Sequence, residues 1–433
     1  MAHILLRHRD VENIKKLDVY REHGGYDALQ KVLAMQPAEV IDIVKASGLR
    51  GRGGAGFPTG LKWSFIPKAA EEVYIIINTD ESEMGTFKDR ELLQQNPHQV
   101  IEGALIAAYA VGAKRMYNYM RGEFMDAGYA FEEAIKECYE AGILGENILG
   151  TDFSCDLAPY YGAGAYICGE ETALLNSLMG ELGQPWSKPP FPAIEGLYHK
   201  PTVVNNTETL ANVPPIINNG ADWYREMGTE RSAGPKIVCL SGHINKPGNY
   251  EVIMGTSYRD IIFNDEFGGG IPNGKKFKAL LPSGGSGPVV KEDALDAPLT
   301  YEGLDAFGSV MGSASLVVMD ETTDMVWMAM KCAHFFKHES CGKCTPCREG
   351  TFWMDKLLHK IYHGHGTAED VRVLKSVAGQ IGGRTLCALG DFAINPALST
   401  IKHFPEEYEA KVKGNKPVNG AVDSVQYSVS SVQ

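Results

Sequence analysis

The chain has 433 residues, with 41 lysines and arginines against 54 aspartates and glutamates, so its formal net charge is −13 at pH 7. This length allows two to four domains, and the acidic balance lacks the basic footprint of a nucleic-acid-binding protein. The first ten residues have no apolar signal-peptide core, and the most apolar stretch, 104–113, is too short to span a bilayer. We therefore expect a cytoplasmic protein that binds no nucleic acid and does not insert directly into a membrane.

The first 233 residues predict helices that alternate with strands. Hydrophobic spacing predicts helices at 26–35, 37–47, 97–111 and 126–141, and strands at 73–78, 115–120 and 156–160. This alternation is typical of an α/β domain with a parallel sheet and crossover connections.

Residues 48–65 form a loop that contains six glycines. Gly51, Gly53 and Gly56 match the GxGxxG pattern, but a helical pattern precedes them and the first strand follows, so this is not the usual turn from strand to helix. Glycines still let backbone N–H groups approach a flat or anionic ligand. The pattern indicates a ligand-binding loop, with a flexible surface loop as the alternative.

Other side chains of the same loop suit an anionic ligand with rings. Arg50, Arg52 and Lys62 supply positive charge, and Phe57 and Phe65 can stack on rings. On these residues alone, phenylalanines that only pack inside the protein are an equally good interpretation.

An acidic segment follows the first predicted strand. Asn78, Asp80, Glu81 and Glu83 come just after its carboxyl end, where open α/β sheets bind ligands. A solvated acidic loop has the same composition and stays open as an alternative.

A second glycine stretch, 162–169, leads into a predicted helix that Glu170 and Glu171 open. These carboxylates can meet ribose hydroxyls, or they can simply cap the helix, because negative charge is favourable in a first turn. The proline-rich segment at 188–192 presents Phe191 rigidly. Asn205 and Asn206 offer paired amides beside a further strand.

The sequence changes character at about residue 234. Short strands at 236–241, 248–252, 276–282 and 313–318, with a helix at 258–263, predict a small α+β module. Beyond 325 the apolar spacing becomes helical, with a capping box at Thr367–Asp370 and a helix stop at Gly382 and Gly383.

Four of the nine cysteines form the clearest metal-site pattern. Cys341, Cys344 and Cys347 make a CxxCxxC run, and Cys387 lies forty residues downstream. Three thiolates at this spacing suit one face of a 4Fe-4S cluster. Zinc competes less well, because structural zinc sites pair CxxC with a second CxxC or with histidines. The other five cysteines read as core residues.

Taken in order, six segments closely resemble the NADH-binding flavoprotein subunit of proton-pumping NADH:quinone oxidoreductase, respiratory complex I. They are GLRGRGGAGFPTGLKW, NTDESEMGTFKDR, GAGAYICGEETAL, KPPFPA, KPTVVNNTETLANVP and ESCGKCTPCREG. The resemblance implies a Rossmann-like α/β FMN and NADH domain with a helical N-terminal segment at 1–233. It further implies a ubiquitin-like β-grasp (SLBB) module at 234–322, a helical bundle with the 4Fe-4S cluster at 323–410 and a tail at 411–433.

The resemblance also assigns cofactor contacts residue by residue. Around FMN it places Gly51, Gly53, Gly54, Lys62, Asn78, Asp80, Tyr166, Gly169, Glu170, Asn205 and Asn206, and we add Arg52 and Glu81 from the same two loops. Around NADH it places Phe57, Phe65 and Phe191 at the adenine ring, Glu171 at the adenosine ribose and Glu83 near the nicotinamide. The cluster ligands are Cys341, Cys344, Cys347 and Cys387. Four positions depart from the usual pattern, namely Thr79, Met84, Met179 and Trp186.

The implied activity is hydride transfer from NADH to FMN, followed by single-electron transfer through the 4Fe-4S cluster toward quinone. The implied partners are a thioredoxin-like 2Fe-2S subunit and a large multi-cluster iron–sulfur subunit, in the peripheral arm of a membrane-bound complex. Glu83 is at most an electrostatic tuner, since direct hydride transfer requires no side-chain acid or base. The alternatives are the equivalent subunit of a soluble NAD-linked hydrogenase or formate dehydrogenase, which shares every motif, and a non-catalytic iron–sulfur scaffold.

Overall fold

A computed structural model describes residues 2–413, so most of the predicted tail at 411–433 lies outside the described residues. The chain divides into two compact units. The first contains the residues up to Ser82 together with Thr86–Val238 and Asn249–Thr256. The second contains Glu83–Gly85, Cys239–Gly248 and the residues from Ser257 onward.

The first unit is an α/β structure. Its helices are α1 (Leu17–Glu22), α2 (Asp27–Leu33), α3 (Pro37–Ala46), α4 (Thr59–Trp63), α5 (Lys88–Gln95), α6 (Pro97–Val111), α7 (Met125–Glu140), α8 (Glu171–Leu178), α9 (Thr207–Ala211), α10 (Val213–Asn219) and α11 (Ala221–Arg225). Its sheet contains β1 (Tyr74–Thr79), β2 (Arg115–Met120), β3 (Asp156–Tyr161) and β4 (Thr202–Asn206). Short 3-10 turns occur at Arg7–Arg9, Ile148–Gly150, Tyr166–Gly169 and Leu197–His199.

This sheet is entirely parallel, with strand order β3-β2-β1-β4, as the alternation of elements predicts. The chain runs outward from β1 through β2 to β3 and then returns to place β4 on the other side of β1. Ile75, Ile76 and Ile77 are completely buried, since helices cover both faces of such a sheet. The reversal creates a switch point at the carboxyl ends of β1 and β4, where ligands bind in sheets of this type.

Helix α6 explains the most apolar stretch of the sequence. It is buried along nearly its whole length, and Gly103 sits so close to α9 that a Cβ atom there would lie 2.0 Å from the Leu210 carbonyl oxygen. The stretch is therefore a core helix. No helix within residues 2–413 has both the length and the apolar character needed to cross a bilayer.

A second sheet has the order β6-β5-β8-β7 and contains β5 (Pro235–Gly242), β6 (Gly248–Ile253), β7 (Phe277–Gly285) and β8 (Ser315–Asp320). Strands β5 and β8 are parallel, whereas β7 and β8 are antiparallel. The second unit also contains helix α12 (Tyr258–Phe263), as the sequence predicts, and 3-10 turns at Pro272–Gly274, Glu292–Ala294 and Asp305–Phe307.

Five helices complete the described part of the second unit. They are α13 (Met325–Glu339), α14 (Thr345–Tyr362), α15 (Ala368–Ile381), α16 (Leu389–His403) and α17 (Pro405–Lys411), with two short parallel strands, β9 (Gly366–Thr367) and β10 (Val412–Lys413). The predicted capping box of Thr367 and Asp370 begins α15, and Gly382 ends it. These two predictions are confirmed.

Candidate functional site

The glycine loop follows α3 and leads into α4, so the predicted order of helix, loop and strand is confirmed. The Gly51 N–H donates to the Phe57 carbonyl oxygen at 2.8 Å, and this bond closes the loop. A Cβ atom on Gly53 would lie 3.0 Å from the Cβ atom of Asn206. The loop therefore lies against the carboxyl end of β4, at the switch point of the sheet, and Gly54 and Gly56 turn it with φ angles of 148° and 66°.

The interpretation of Arg52 as positive charge for a ligand is wrong. Its side chain is completely buried, and its guanidinium donates to the carbonyl oxygens of Ala233 at 2.6 Å and Pro235 at 3.2 Å. It also donates to the Tyr224 hydroxyl at 3.0 Å. Arg50 similarly donates to the Gly56 carbonyl at 2.6 Å. The guanidinium of Arg52 thus holds the loop in place, and only its backbone remains a candidate for contacting a cofactor.

Glu171 lies between two lysines. Its Oε2 accepts from Lys62 Nζ at 2.9 Å and its Oε1 from Lys188 Nζ at 2.8 Å. Lys62 also donates to the Val204 carbonyl oxygen of β4 at 2.9 Å. Burial by itself would raise the pKa of the Glu171 carboxyl, but the two ammonium groups outweigh it and lower that pKa to about 2. Glu171 is therefore ionised at neutral pH.

Glu170 caps helix α8. Its Oε2 accepts from the backbone N–H groups of Thr172 at 2.8 Å and Ala173 at 3.0 Å. The capping alternative is thus confirmed for Glu170, whose Oε1 also lies 3.3 Å from Lys188 Nζ. Glu171, one residue later, is held by lysines instead.

Three asparagines line the ends of β1 and β4. Asn78 pairs with Asn206 across the two strands, and its Nδ2 donates to the Gly169 carbonyl oxygen at 3.0 Å. Asn205 Oδ1 accepts from the Trp63 indole N–H at 2.8 Å. These bonds join the glycine loop, the acidic loop and the Tyr166–Gly169 turn, so the structure brings most of the predicted FMN residues to one place.

Glu81 corrects a second interpretation. The sequence allows a ligand contact or a solvated acidic loop, but the residue is only 5% exposed. Its two carboxylate oxygens accept from the backbone N–H groups of Asp89 at 2.8 Å and Arg90 at 3.1 Å, at the start of α5. Burial, and then the charge of Asp89, raise the pKa of Glu81 to about 7. Its side chain positions α5.

A buried ionic network lies beneath Asn206, and no sequence pattern predicts it. Glu208 Oε2 is 2.6 Å from Lys236 Nζ and 3.0 Å from Lys88 Nζ. Lys88 also pairs with Asp89, which accepts from Asn206 Nδ2 at 2.7 Å. The segment KDR at 88–90 and Glu208 carry no spacing signal, because the partners come from distant parts of the chain.

The three predicted ring-stacking residues are available at the surface. Phe57 and Phe65 lie 6.0 Å apart between ring centroids, tilted by 51°. Phe65 is 47% exposed and Phe191 is 46% exposed. The indole N–H of Trp186 donates to the Pro190 carbonyl oxygen at 3.2 Å and so closes the segment that presents Phe191.

Glu83 belongs to the second unit, where it lies beside the end of β7. A Cβ atom on Gly284 would lie 2.7 Å from Glu83 Oε1 and 2.3 Å from the Met84 carbonyl oxygen. Met84 packs with buried residues of this unit, including Leu281 and Met328. The substitution at position 84 thus fills an apolar contact.

The CxxCxxC cysteines lie around the start of α14. Cys344 is the residue before the helix, and Cys347 in its first turn is 6% exposed, with its Sγ 3.2 Å from Ser340 Oγ. Burial raises the pKa of the Cys347 thiol to about 11, and the neighbouring thiols Cys344 and Cys341 raise it further. Cys387 is partly buried between α15 and α16.

These thiols suit a cluster better than a single ion. Within residues 2–413, no three histidine, cysteine, aspartate or glutamate side chains converge as ligands of one metal ion. A 4Fe-4S cluster binds its thiolates through separate iron atoms, so the sulfurs need not converge. Gly342, with a φ angle of 74°, turns the chain between Cys341 and Cys344. The five remaining cysteines are buried, which confirms them as core residues.

Comparison with known protein families matches both regions. Residues 44–215 match the Nuo51 FMN-binding domain, and residues 327–411 match the NADH-ubiquinone oxidoreductase-F iron-sulfur binding region. These matches define the class of protein as an oxidoreductase flavoprotein with FMN-binding and 4Fe-4S-binding domains.

Curated relatives narrow the class, and each is the NADH-quinone oxidoreductase component designated F. The chain is 49% identical over 419 residues to that of Mycobacterium tuberculosis (strain ATCC 25618 / H37Rv), covering 95% of this chain and 94% of the relative. It is 50% identical over 412 residues to the second such component of Rhizobium meliloti (strain 1021), covering 95% and 97%. The chain belongs to this NADH-quinone oxidoreductase family. It is an NADH dehydrogenase flavoprotein subunit with FMN, NADH and a 4Fe-4S cluster as its cofactors, and it functions with other subunits.

A solved structure is also similar. An NAD+-reducing [NiFe]-hydrogenase in the H2-reduced state matches with a TM-score of 0.81 and 37% identity over 88% of this chain. The present chain spans 63% of that hydrogenase chain.

Proposed function

We propose that FMN binds at the switch point between β1 and β4, with its surroundings formed by the glycine loop, the strand ends and the Tyr166–Gly169 turn. The observation that carries this assignment is the 3.0 Å approach of Gly53 to Asn206, which leaves room for no side chain between loop and sheet. Bound FMN supplies hydride acceptance and one-electron release. Backbone N–H groups of Gly51, Gly53 and Gly54 would face the cofactor, as they do in other glycine-rich anion sites.

Polar side chains would fix the orientation of the flavin. The candidates are Lys62, Asn78, Asp80, Tyr166, Gly169, Glu170, Asn205 and Asn206, with Arg52 through its backbone. The Lys62 ammonium is anchored by Glu171 and the Val204 carbonyl oxygen, which supports a fixed positive charge at this position. Glu81 and the ionic network of Glu208 would act indirectly by holding α5 and Asn206.

NADH would bind with its adenine ring among Phe57, Phe65 and Phe191, and its adenosine ribose at Glu171. The exposure of Phe65 and Phe191 supports this arrangement, because unpartnered rings at a surface favour stacking with a ligand. Glu83 would lie near the nicotinamide and tune its electrostatics without transferring a proton.

Electrons would leave through a 4Fe-4S cluster on Cys341, Cys344, Cys347 and Cys387. The thiols at the start of α14 support this assignment, since a helix N-terminus favours the thiolate form of a ligand. The mixed sheet with α12 would be the β-grasp module, and α13 to α16 would be the helical bundle. The receiving partners would be a thioredoxin-like 2Fe-2S subunit and a large multi-cluster iron–sulfur subunit, in the peripheral, cytoplasmic arm of a membrane-bound complex.

The similarity to an NAD+-reducing hydrogenase favours a second candidate, in which the same unit serves a soluble hydrogen-linked enzyme. The two are separated by purifying the native complex through this chain and identifying its subunits. NADH-dependent quinone reduction supports the first candidate, and H2-dependent NAD+ reduction supports the second. A preparation that contains iron but no flavin, and that reduces no dye with NADH, would reduce the protein to an iron–sulfur scaffold and contradict both.

A further inference from the structure

Helices α13 and α14 expose three large aromatic side chains on adjacent surfaces. Trp327 on α13 is 41% exposed, and Phe352 and Trp353 on α14 are 37% and 54% exposed. The two surfaces adjoin, because Lys337 on α13 lies over the Phe352 ring at 5.4 Å and bonds to Asp355 on α14 at 2.7 Å. Clustered exposed aromatic residues mark protein interaction sites more often than isolated ones do.

Lysines accompany each of these rings. Lys331 lies 5.8 Å from the Trp327 ring centroid, and Lys356 lies 4.3 Å from that of Phe352. Within residues 2–413, neither Lys331 nor Lys356 has a carboxylate partner, whereas Asp355 is already paired with Lys337. This group of six residues, Trp327, Lys331, Lys337, Phe352, Trp353 and Lys356, is the α13–α14 aromatic face. It is cationic in a chain whose net charge is −13.

We propose that the α13–α14 aromatic face is a docking surface for an acidic protein partner, namely the subunit that accepts electrons from this chain. Aromatic anchors supply most of the binding energy of protein interfaces, and surrounding charges select and steer the partner. A symmetric contact between two copies would place the lysines of one face against those of the other, which disfavours self-association.

The position of the face along α14 supports an electron acceptor in particular. Phe352 and Trp353 follow Cys347 by five and six residues on the same helix, which corresponds to about 7.5 to 9 Å along its axis. A protein seated on these rings is therefore held beside the cysteine cluster. This inference rests on the proposed function, because it assigns the electron exit to those cysteines.

The test uses the native multi-subunit complex purified through this chain. The variants are the double charge reversal Lys331→Glu with Lys356→Glu, and separately Trp353→Ala. Lys276→Glu is the matched control, because Lys276 is exposed in the same unit but lies just before β7. Each preparation is assayed for co-purifying subunits, FMN content, the reduced-cluster EPR signal, NADH:ferricyanide activity and NADH:quinone activity.

We expect both face variants to lose co-purifying subunits and quinone reduction about tenfold relative to the control. FMN content, the cluster signal and ferricyanide reduction stay at wild-type levels. Wild-type amounts of partner subunits in both face variants overturn the proposal, as does an equal loss in Lys276→Glu. Missing FMN or cluster in the wild-type complex contradicts the proposed function instead, and subunit co-purification still decides the docking surface.

Two further results would assign the face to a different occupant and overturn the proposal. One is an isolated wild-type chain that elutes as a dimer while the double variant elutes as a monomer. The other is binding of the isolated chain to phosphatidylglycerol vesicles that the double variant abolishes.

Discussion

Replacing Glu171 by glutamine tests whether this carboxylate selects the nucleotide. In the structure each of its ε oxygens accepts a hydrogen bond from a different lysine, Lys62 or Lys188, at 2.9 and 2.8 Å. Glutamine keeps one acceptor oxygen but turns an NH2 group toward one of the two ammonium groups. The substitution therefore removes a negative charge and leaves two positive charges at the position proposed for the adenosine ribose.

The magnitude follows from the lowered pKa. The carboxyl side chain is 21% exposed, and its pKa falls from an ordinary 4.5 to about 2. That difference corresponds to about 3 kcal/mol of free energy of unfolding at neutral pH. Because the folded-state pKa is the lower one, this stabilisation is complete above about pH 4.5 and disappears as the pH falls toward 2. The stability gap between wild type and Glu171→Gln should close over the same interval.

The nucleotide effect has the opposite sign for the two cofactors. Without the carboxylate, the 2′-phosphate of NADPH no longer meets a like charge and instead faces Lys62 and Lys188, whereas NADH loses a hydrogen-bond acceptor for its ribose. We expect the ratio of kcat/KM for NADPH over NADH to rise at least about tenfold, equivalent to about 1.4 kcal/mol.

The assay is steady-state ferricyanide reduction with each nucleotide, with urea unfolding measured in parallel. Glu181→Gln is the matched control, since Glu181 is exposed just beyond helix α8. An unchanged nucleotide ratio combined with lower stability would show that Glu171 only joins two lysines and does not read the ribose.

Three other substitutions test the remaining assignments. Glu208→Gln should lower the free energy of unfolding in urea by about 3–5 kcal/mol, because it leaves two buried lysines without their shared carboxylate, and a loss below about 1 kcal/mol would contradict the network. Cys347→Ala should keep FMN but lose the reduced-cluster EPR signal and iron, so full iron content would exclude it as a ligand. Gly53→Ala should reduce bound FMN by pushing the loop from Asn206, while Gly379→Ala, which has open space around it, should retain it.

Local sequence patterns were sufficient for the elements and for the order of the site. The continuous apolar run of β1 and the alternation with helices predict a parallel sheet, because strands covered on both faces are apolar throughout. The helix before the glycine loop excludes the usual strand-to-helix fingerprint, and the structure agrees. The CxxCxxC spacing and the capping box of α15 are likewise short-range features that the residues themselves encode.

Tertiary structure alone decided which charges face a ligand. Arg52 and Lys62 look equivalent in the sequence, yet the guanidinium of Arg52 is buried under carbonyl oxygens while Lys62 joins Glu171 at the site. Glu170 and Glu171 are neighbours, and only the start of α8 separates a helix cap from an ion pair. A charged side chain takes the partner that compensates its loss of hydration, and that partner comes from a distant segment brought close by folding.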